Sequence, residues 1–178
     1  MRTTFRLLSL IPALFALGGC KSAPRTDAST VVQEFYTATI TGHISGAPTA
    51  EQLATIAPYL SDTLRVLLAA ARKRSEADVA RAPDTKPSFA EGDLFSSLFE
   101  GPNAVAVLPD SARGPLRVAT VRMTSTDANP AVRWIDHVVL TQQAGRYVID
   151  DIEYGGQWDF ASKGTLRASL VAALAGPP

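Results

Sequence analysis

The sequence predicts an α+β domain in which N-terminal helices pack on an antiparallel sheet of three to four strands, with a C-terminal helix. Apolar residues recur at helical spacing in the first half of the chain. They alternate at strand spacing in most of the second half and return to helical spacing near the end. Because runs of helices precede runs of strands instead of alternating with them, the pattern favours α+β over α/β.

Two helices are expected before residue 60. The first is predicted from about Ser29 or Thr30 to Gly42, because one apolar stripe recurs at i, i+3, i+4, i+7 and i+8. The segment Thr49-Ala50-Glu51-Gln52 has the form of a capping box and predicts a short second helix. Pro58 limits the length of that helix.

Ser61 and Asp62 are predicted to cap a third helix, which ends in the basic run Arg72-Lys73-Arg74. A solvated face near the helix C-terminus is the simpler interpretation of that run. A contact with peptidoglycan or a lipid headgroup is the alternative. Further along, Gly92 to Phe99 is expected to form either a helical turn or an irregular apolar plug, with Asp93 as a cap.

The strands follow, and the strongest prediction among them is a long hairpin over Val132 to Gly156. Shorter strands are predicted at residues 104–108 and 116–124. The two strands of the hairpin flank Gln142 to Gly145, where Gly145 can take the left-handed conformation of a short loop. Ser162 or Gly164 then opens the last helix.

The register of the hairpin decides which side chains meet. Setting Thr141 opposite Arg146 places Asp136 opposite Asp151, and His137 opposite Asp150. A β-bulge would break those pairs, because a slip of one residue swaps the two faces.

The first twenty residues predict the subcellular location of the protein. Arg2 and Arg6 precede an apolar run that is short for a membrane span, and the run ends in Leu17-Gly18-Gly19-Cys20. This resembles a bacterial lipoprotein signal, which implies cleavage before Cys20 and lipidation of that cysteine. An ordinary secretory signal with a chance cysteine, or an uncleaved anchor, is the alternative.

The predicted organisation is a signal peptide at residues 1–19, a lipidated tether at 20–28 and a single domain at 29–176. By resemblance to the enteric sorting rule, Lys21 after the cysteine implies the periplasmic face of the outer membrane. Cys20 is the one cysteine, which excludes an intrachain disulfide. The formal net charge of zero gives no indication of a nucleic-acid partner.

Four segments carry a wider resemblance: Phe35-Tyr36, Leu60 to Leu64, Gly92 to Phe95, and Tyr147 to Tyr154. Their order resembles the cone-shaped fold of the ketosteroid-isomerase and nuclear-transport-factor superfamily, also called cystatin-like. Within it, the chain is similar to a group of uncharacterised bacterial lipoproteins. The resemblance implies a curved sheet with a pocket between sheet and helices. It implies no reaction, because this fold hosts enzymes, binders and scaffolds.

The candidate catalytic residues come from the hairpin. If Asp136 and Asp151 share a dry pocket, one of their pKa values must rise, as a general base requires. His137 with Asp150 is half of a catalytic triad, although no serine has the context of a nucleophile. For each pair, a solvated or ion-paired carboxylate is the simpler interpretation.

Tyr36, Trp134 and Tyr147 are the candidate pocket residues, and Tyr154 and Trp158 could line the same pocket, although aromatic residues on a sheet more often belong to the core. No metal site is expected, because His137 has no second histidine at ligand spacing, and no motif indicates a cofactor.

The first functional hypothesis is a non-catalytic lipoprotein that binds a partner protein or a small apolar ligand. The alternative is a small isomerase or hydratase with Asp136 or Asp151 as base and Tyr36 or Tyr147 as hydrogen-bond donor. An immunity or envelope-stress factor is a third option. Dimerisation through an exposed sheet face is a further expectation.

Overall fold

The computed structural model describes residues 27–127 and 130–176 and confirms the α+β class. The predicted signal peptide, Cys20 and the tether as far as residue 26 lie outside the described residues. Among those described, no helix is both long and apolar enough to cross a membrane. The elements in chain order are α1 (Ala28–Thr41), α2 (Ala50–Ile56), a 3₁₀ turn (Ala57–Tyr59), α3 (Asp62–Arg81), β1 (Ala104–Val107), β2 (Ser111–Arg113), β3 (Leu116–Ser125), β4 (Val132–Gln143), β5 (Arg146–Glu153) and α4 (Leu166–Ala175).

Local sequence determines where these helices begin. The capping box of α2 forms as predicted, with Thr49 and Gln52 each accepting a hydrogen bond from the other's backbone N–H. Ser61 caps α3 through the backbone N–H of Leu64 at 3.1 Å. The cap of α4 is Thr165, one residue beyond the predicted Gly164.

The sheet is antiparallel in the order β1-β3-β4-β5, with β2 also paired to β3. It has five strands, one more than predicted, because the three residues of β2 continue the edge that β1 begins. The opposite edge, β5, is covered: Ser61 N–H donates to the carbonyl of Ile149 at 2.8 Å, and Glu153 bridges to Thr165. Covering an edge in this way blocks pairing with another chain.

The predicted hairpin forms, but its predicted register is wrong. Gln143 pairs with Arg146, so the loop is only Ala144-Gly145, both at positive φ (49° and 76°). This is the pattern of a tight type I′ turn. Between the turn and Leu140, this shift of two residues along the strands keeps the side chains on their predicted faces.

A β-bulge between Val139 and Leu140 then changes the faces. Val139 pairs with Asp151 and Leu140 with Ile149, so Asp150 is an extra residue on β5. Beyond it the two sides of β5 are exchanged, and Ile152 enters the core. The predicted pairs Asp136–Asp151 and His137–Asp150 therefore do not form.

The space between α1 and the sheet is filled by residues 92–101, which we call the plug. It is irregular, which confirms the second of the two predicted forms. Phe95 is 1% exposed, and its ring lies edge-on to Phe35 at a centroid distance of 5.2 Å. Tyr36 donates to the carbonyl of Phe95 at 2.9 Å, and Tyr154 to that of Leu94 at 2.6 Å. The hydroxyl groups of Tyr36 and Tyr154 thus provide hydrogen-bond partners for two backbone carbonyls of the plug.

An ion pair indicates that the sheet curls. Arg113 on β2 contacts Glu153 on β5, although β3 and β4 lie between them. The registers also offset the two residues by four positions, so a flat sheet would hold their backbones on the order of 20 Å apart.

Candidate functional site

Asp136 is the most enclosed of the candidate residues, with 0% of its surface exposed. Its Oδ1 accepts from the hydroxyl of Ser97 and from Gly155 N–H at 2.8 Å. Its Oδ2 accepts from Ser97 N–H at 2.8 Å and from the indole N–H of Trp134 at 3.1 Å. Four donors therefore replace the water that a carboxylate loses on burial.

This arrangement joins three parts of the chain. Asp136 lies on β4, Ser97 lies in the plug, and Gly155 follows β5. The hydroxyl of Ser97 also accepts from Gly156 N–H at 2.9 Å. We call Asp136 with these four donors the carboxylate pin, and its contacts support the structural interpretation of Asp136 over that of a general base.

The bulge gives Asp150 and Asp151 a common partner, the start of α4. Asp150 forms an ion pair with Arg167 at 2.6 Å. Asp151 Oδ1 accepts from the backbone N–H of Arg167 at 2.9 Å and of Ile152 at 2.8 Å. Both carboxylates thus attach α4 to the sheet, and the one on Asp151 bonds an N–H of the first helical turn.

His137 lies apart from Asp150. It is half-buried, faces Glu153 across the strands, and its Nδ1 is 3.3 Å from the hydroxyl of Thr120. Within the described residues, no hydrogen bond joins an aspartate to the His137 imidazole, so the orienting half of a triad does not form. In the described part of the chain, no cluster of three or more His, Cys, Asp or Glu side chains can hold a metal ion.

The three predicted pocket aromatics do not converge. Tyr36 is 1% exposed beneath the plug, where burial, aided by Asp136, raises its pKa well above the usual value. Tyr147 is half-buried opposite Gln142, near the hairpin turn. Of the three, Trp134 is among the residues that line the main cavities of the described part of the chain.

That cavity, the sheet-end cavity, measures about 730 Å³ and spans three adjacent rows of paired residues on β1, β3 and β4. The side chains of the middle row, Val105, Met123 and Trp134, point to the core face of the sheet, and those of the two outer rows point to the exposed face. The loop after β5 closes one side. Trp158 of this loop packs edge-on to Trp134 at 5.9 Å. The lining residues are Ala104, Val105, Ala106, Arg122, Met123, Thr124, Arg133, Trp134, Ile135, Gly155, Gln157 and Trp158.

The chemistry of the sheet-end cavity is apolar with a basic rim. Ile135 is 43% exposed and contributes an apolar side chain to the lining. The indole N–H of Trp134 is bonded to Asp136, and with 7% of its surface exposed Trp134 belongs mainly to the core. Arg122 and Arg133 are the charged lining residues, and no carboxylate is among them.

Asp93 is a functional candidate that sequence reasoning treated only as a cap. It lines a second, polar cavity of about 330 Å³ beside the end of α1, together with His43, Glu100, Asn103 and Asp127 among others. Burial raises the pKa of Asp93 to about 6, against the lowering effect of the Phe95 N–H that bonds its Oδ1 at 2.7 Å. Nothing local in the sequence indicates this burial, which depends on how the plug folds.

The basic run of α3 is largely paired. Arg72 bonds Glu76 at 2.6 Å, and Arg74 bonds Asp78 at 3.0 Å, each one turn along the helix. These contacts favour a self-paired face over a headgroup site, although Arg72 and Arg74 are half-buried and only Lys73 of the run is exposed, so the face is less solvated than predicted.

Comparison with known proteins adds one relative. The chain is 30% identical over 186 residues to YbjP, an uncharacterized lipoprotein of Escherichia coli strain K12, with 93% of this chain and 96% of the relative covered. A scan against protein-family models finds no match. No solved structure matches the chain.

Proposed function

We propose that this chain, which belongs to the family of the Escherichia coli lipoprotein YbjP, is a lipid-anchored, non-catalytic binding module at the periplasmic face of the outer membrane. The family supports a lipoprotein. The palmitate-type anchor on Cys20, the outer membrane and the binding role are the further steps of the proposal. The organisation proposed with it is a signal peptide at residues 1–19, a tether at 20–28 and one domain at 29–176.

The kinship of the fold to the nuclear-transport-factor cone is part of this proposal. Helices on one face of a curled antiparallel sheet support it. The pocket that such a cone would hold between α1 and the sheet is occupied by Phe95 and the rest of the plug. Binding is therefore assigned to the sheet-end cavity and not to the interior of the cone.

The sheet-end cavity is the observation that carries the binding role. Its volume of about 730 Å³ lies within the range of about 300–1,000 Å³ typical of small-molecule sites. The exposed side chains of Ala104, Ala106 and Ile135, with Trp158 of the loop after β5, supply apolar surface, as in most such sites. We therefore assign the module a small apolar or amphiphilic ligand in preference to a partner protein.

An intact-mass measurement tests the proposed signal cleavage and lipid anchor. The protein from a bacterial membrane fraction should lack residues 1–19 and carry added acyl mass on Cys20. Cys20→Ser should abolish that mass and release the protein from the outer-membrane fraction. A parent protein of unmodified mass would overturn the anchor.

A neutral naphthylamine dye tests the binding role, because its fluorescence rises in apolar sites and it accepts energy from tryptophan. The dye should bind the parent, and Ile135→Asp should weaken binding by placing a charge on the apolar surface of the cavity. The matched control is Val171→Asp on α4, which changes an equally exposed apolar residue outside the described cavities. Equal dye binding by both variants and the parent would overturn the role.

Asp93 favours a second candidate function, the proton-transfer enzyme of isomerase or hydratase type. A carboxyl with a pKa of about 6 at a polar cavity suits a general base near neutral pH better than the fully bonded Asp136 does. In this alternative Asp93→Asn abolishes turnover and the stable fold persists. A screen of carbonyl substrates with that variant as the blank distinguishes the two functions.

A further inference from the structure

We propose that the exposed face of the sheet-end cavity binds a compact organic oxyanion, with its carboxylate or phosphate group between Arg122 and Arg133 and a ring-sized apolar group against Ile135. This inference rests on the proposed binding role and names the chemical class of the ligand. It is drawn from four side chains that form a square on that face: Thr124, Arg133, Arg122 and Ile135.

The square consists of two pairs of the β3–β4 ladder that lie on the same face. Thr124 is paired with Arg133, and Arg122 is paired with Ile135. Residues two apart on a strand share a face, so the four side chains point to the same side of the sheet. The pair between them is buried on the other face, and every member of the square is exposed except Thr124, which is half-buried. One ligand on the solvent side of the sheet can therefore contact all four side chains.

The charged part of the ligand follows from the diagonal of the square that joins Arg122 and Arg133. Diagonal neighbours in an antiparallel sheet lie about 7–8 Å apart at the backbone. Two flexible guanidinium groups at that separation can contact one carboxylate or phosphate group placed between them. The hydroxyl of Thr124, which has no hydrogen-bond partner within residues 27–127 and 130–176, is a third donor at the same position.

The two arginines of the square are available for such an anion. Arg113 and Arg117, on the same sheet, each have a carboxylate partner. Among the described residues, Arg122 and Arg133 have no ion pair, and no carboxylate lines the cavity. Two adjacent cations repel each other until an anion joins them, so charge complementarity selects an anionic ligand over a neutral or cationic one.

The apolar part of the ligand is small, because the exposed face offers little apolar surface beside the arginines. Ile135 is paired with Arg122 and lies two residues from Arg133 on β4. The loop after β5 lies beside it, since a Cβ atom on Gly155 would meet the Ile135 carbonyl, and this loop adds the half-buried Trp158 to the lining. One isoleucine and one partly exposed indole can cover a ring or a short chain, but they offer no continuous apolar surface for a long chain.

The chain carries its own probe, because Trp134 and Trp158 are its two tryptophans, both line the cavity, and Trp158 is the more exposed. A bromine atom quenches indole fluorescence at short range. The mature lipidated protein, held in neutral maltoside micelles, is titrated with 4-bromobenzoate, with 4-bromophenyl phosphate and with the uncharged 4-bromobenzamide, and empty micelles give the blank. We expect saturable quenching by an anion at roughly tenfold lower concentration than by the amide, and the stronger anion identifies the charged group.

Variants locate the two parts of the ligand. Arg122→Gln and Arg133→Gln should each weaken binding of the anion by roughly fivefold, the size of one exposed ion pair, and leave the amide unchanged. Ile135→Ala should weaken binding of the anion and the amide alike, because it removes only apolar contact. The matched control is Arg146→Gln, which makes the same charge change at an exposed arginine beside the hairpin turn and should leave all three titrations unchanged.

The outcomes separate this inference from the role on which it rests. If the amide quenches as strongly as both anions, or if both Arg variants match the parent, the oxyanion assignment is refuted and the binding role stands. If none of the three probes quenches while the neutral naphthylamine dye binds, the inference fails alone, and if the dye does not bind either, both fail. If sedimentation shows a dimer that Ile135→Asp dissociates, a second copy covers this face and the oxyanion assignment is refuted.

Discussion

Ser97 donates two hydrogen bonds to Asp136, from its backbone N–H to Oδ2 at 2.8 Å and from its hydroxyl to Oδ1. One residue of the plug thus holds both oxygens of a buried carboxylate on β4. No cation is among the recorded hydrogen-bond partners, so neutral donors alone stabilise this anion. The carboxylate pin therefore makes the packing of the plug dependent on one charge.

Asp136→Asn should destabilise the fold. The substituted amide keeps the shape of the side chain but turns an NH₂ group toward N–H and O–H donors, so at least one donor loses its acceptor. We expect the free energy of unfolding to fall by about 3 kcal/mol in denaturant titrations. Asp159→Asn, on an exposed carboxylate, is the control. An unchanged melting temperature for Asp136→Asn would contradict the pin and restore the case for a catalytic role.

Gly156→Ala should disturb the same region by a different route. A Cβ atom at this position would lie 2.8 Å from the Cβ of Ser97 and 2.9 Å from that of Ala161, too close for either to remain in place. We expect a loss of about 2 kcal/mol in unfolding free energy, as is typical of overpacking. Gly176→Ala, which meets no atom closer than 3.5 Å, should be neutral by the same thermal unfolding measurement. Similar behaviour of the two variants would show that the loop after β5 moves freely.

Local features of this fold could be predicted from the sequence. The capping box of Thr49 and Gln52 acts within one helical turn, so its residues suffice to indicate it. The hairpin was placed correctly because Gly145 and the alternating residues around it are neighbours in the chain. The class follows from the order of such elements.

Features that depend on distant contacts could not be predicted. The bulge at Asp150 accompanies contacts that Arg167 of α4 makes with Asp150 and Asp151, and no nearby residue signals them. The burial of Asp93 depends on the plug, which has no periodicity. The sheet-end cavity combines residues from three strands and a loop, so only Trp134 and Trp158 among its lining residues were predicted to line a pocket.

Ala144→Asn should stabilise the hairpin. Ala144 has a φ of 49°, a left-handed conformation that alanine adopts at a cost and asparagine tolerates better. We expect a gain of about 0.5–1 kcal/mol, visible as a rise of about 1–3 °C in melting temperature. Ala144→Val is the opposing control, because a β-branched side chain is strained at positive φ and should lower the melting temperature. If asparagine lowered stability as valine does, the two-residue loop would be wrong.

Asp93→Asn should change how stability depends on pH. The folded pKa of Asp93 is about 6, above the ordinary value of 3.8, so the folded state binds the proton more tightly than the unfolded state does. The carboxyl therefore disfavours folding increasingly as pH rises from about 4 to about 6, and fully above that range. Asparagine keeps an oxygen for the Phe95 N–H but never ionises.

The variant and the parent should accordingly be equally stable near pH 4, and near pH 7 the variant should be more stable by about 3 kcal/mol. Chemical denaturation at a series of pH values measures the difference. Asp84→Asn, on an exposed carboxylate, should show no such pH-dependent gain. A difference between parent and variant that stays constant with pH would mean that Asp93 ionises as freely in the fold as in the unfolded chain. The polar cavity would then lose its claim to a proton-transfer role, because an aspartate with an ordinary pKa is a weak base at neutral pH.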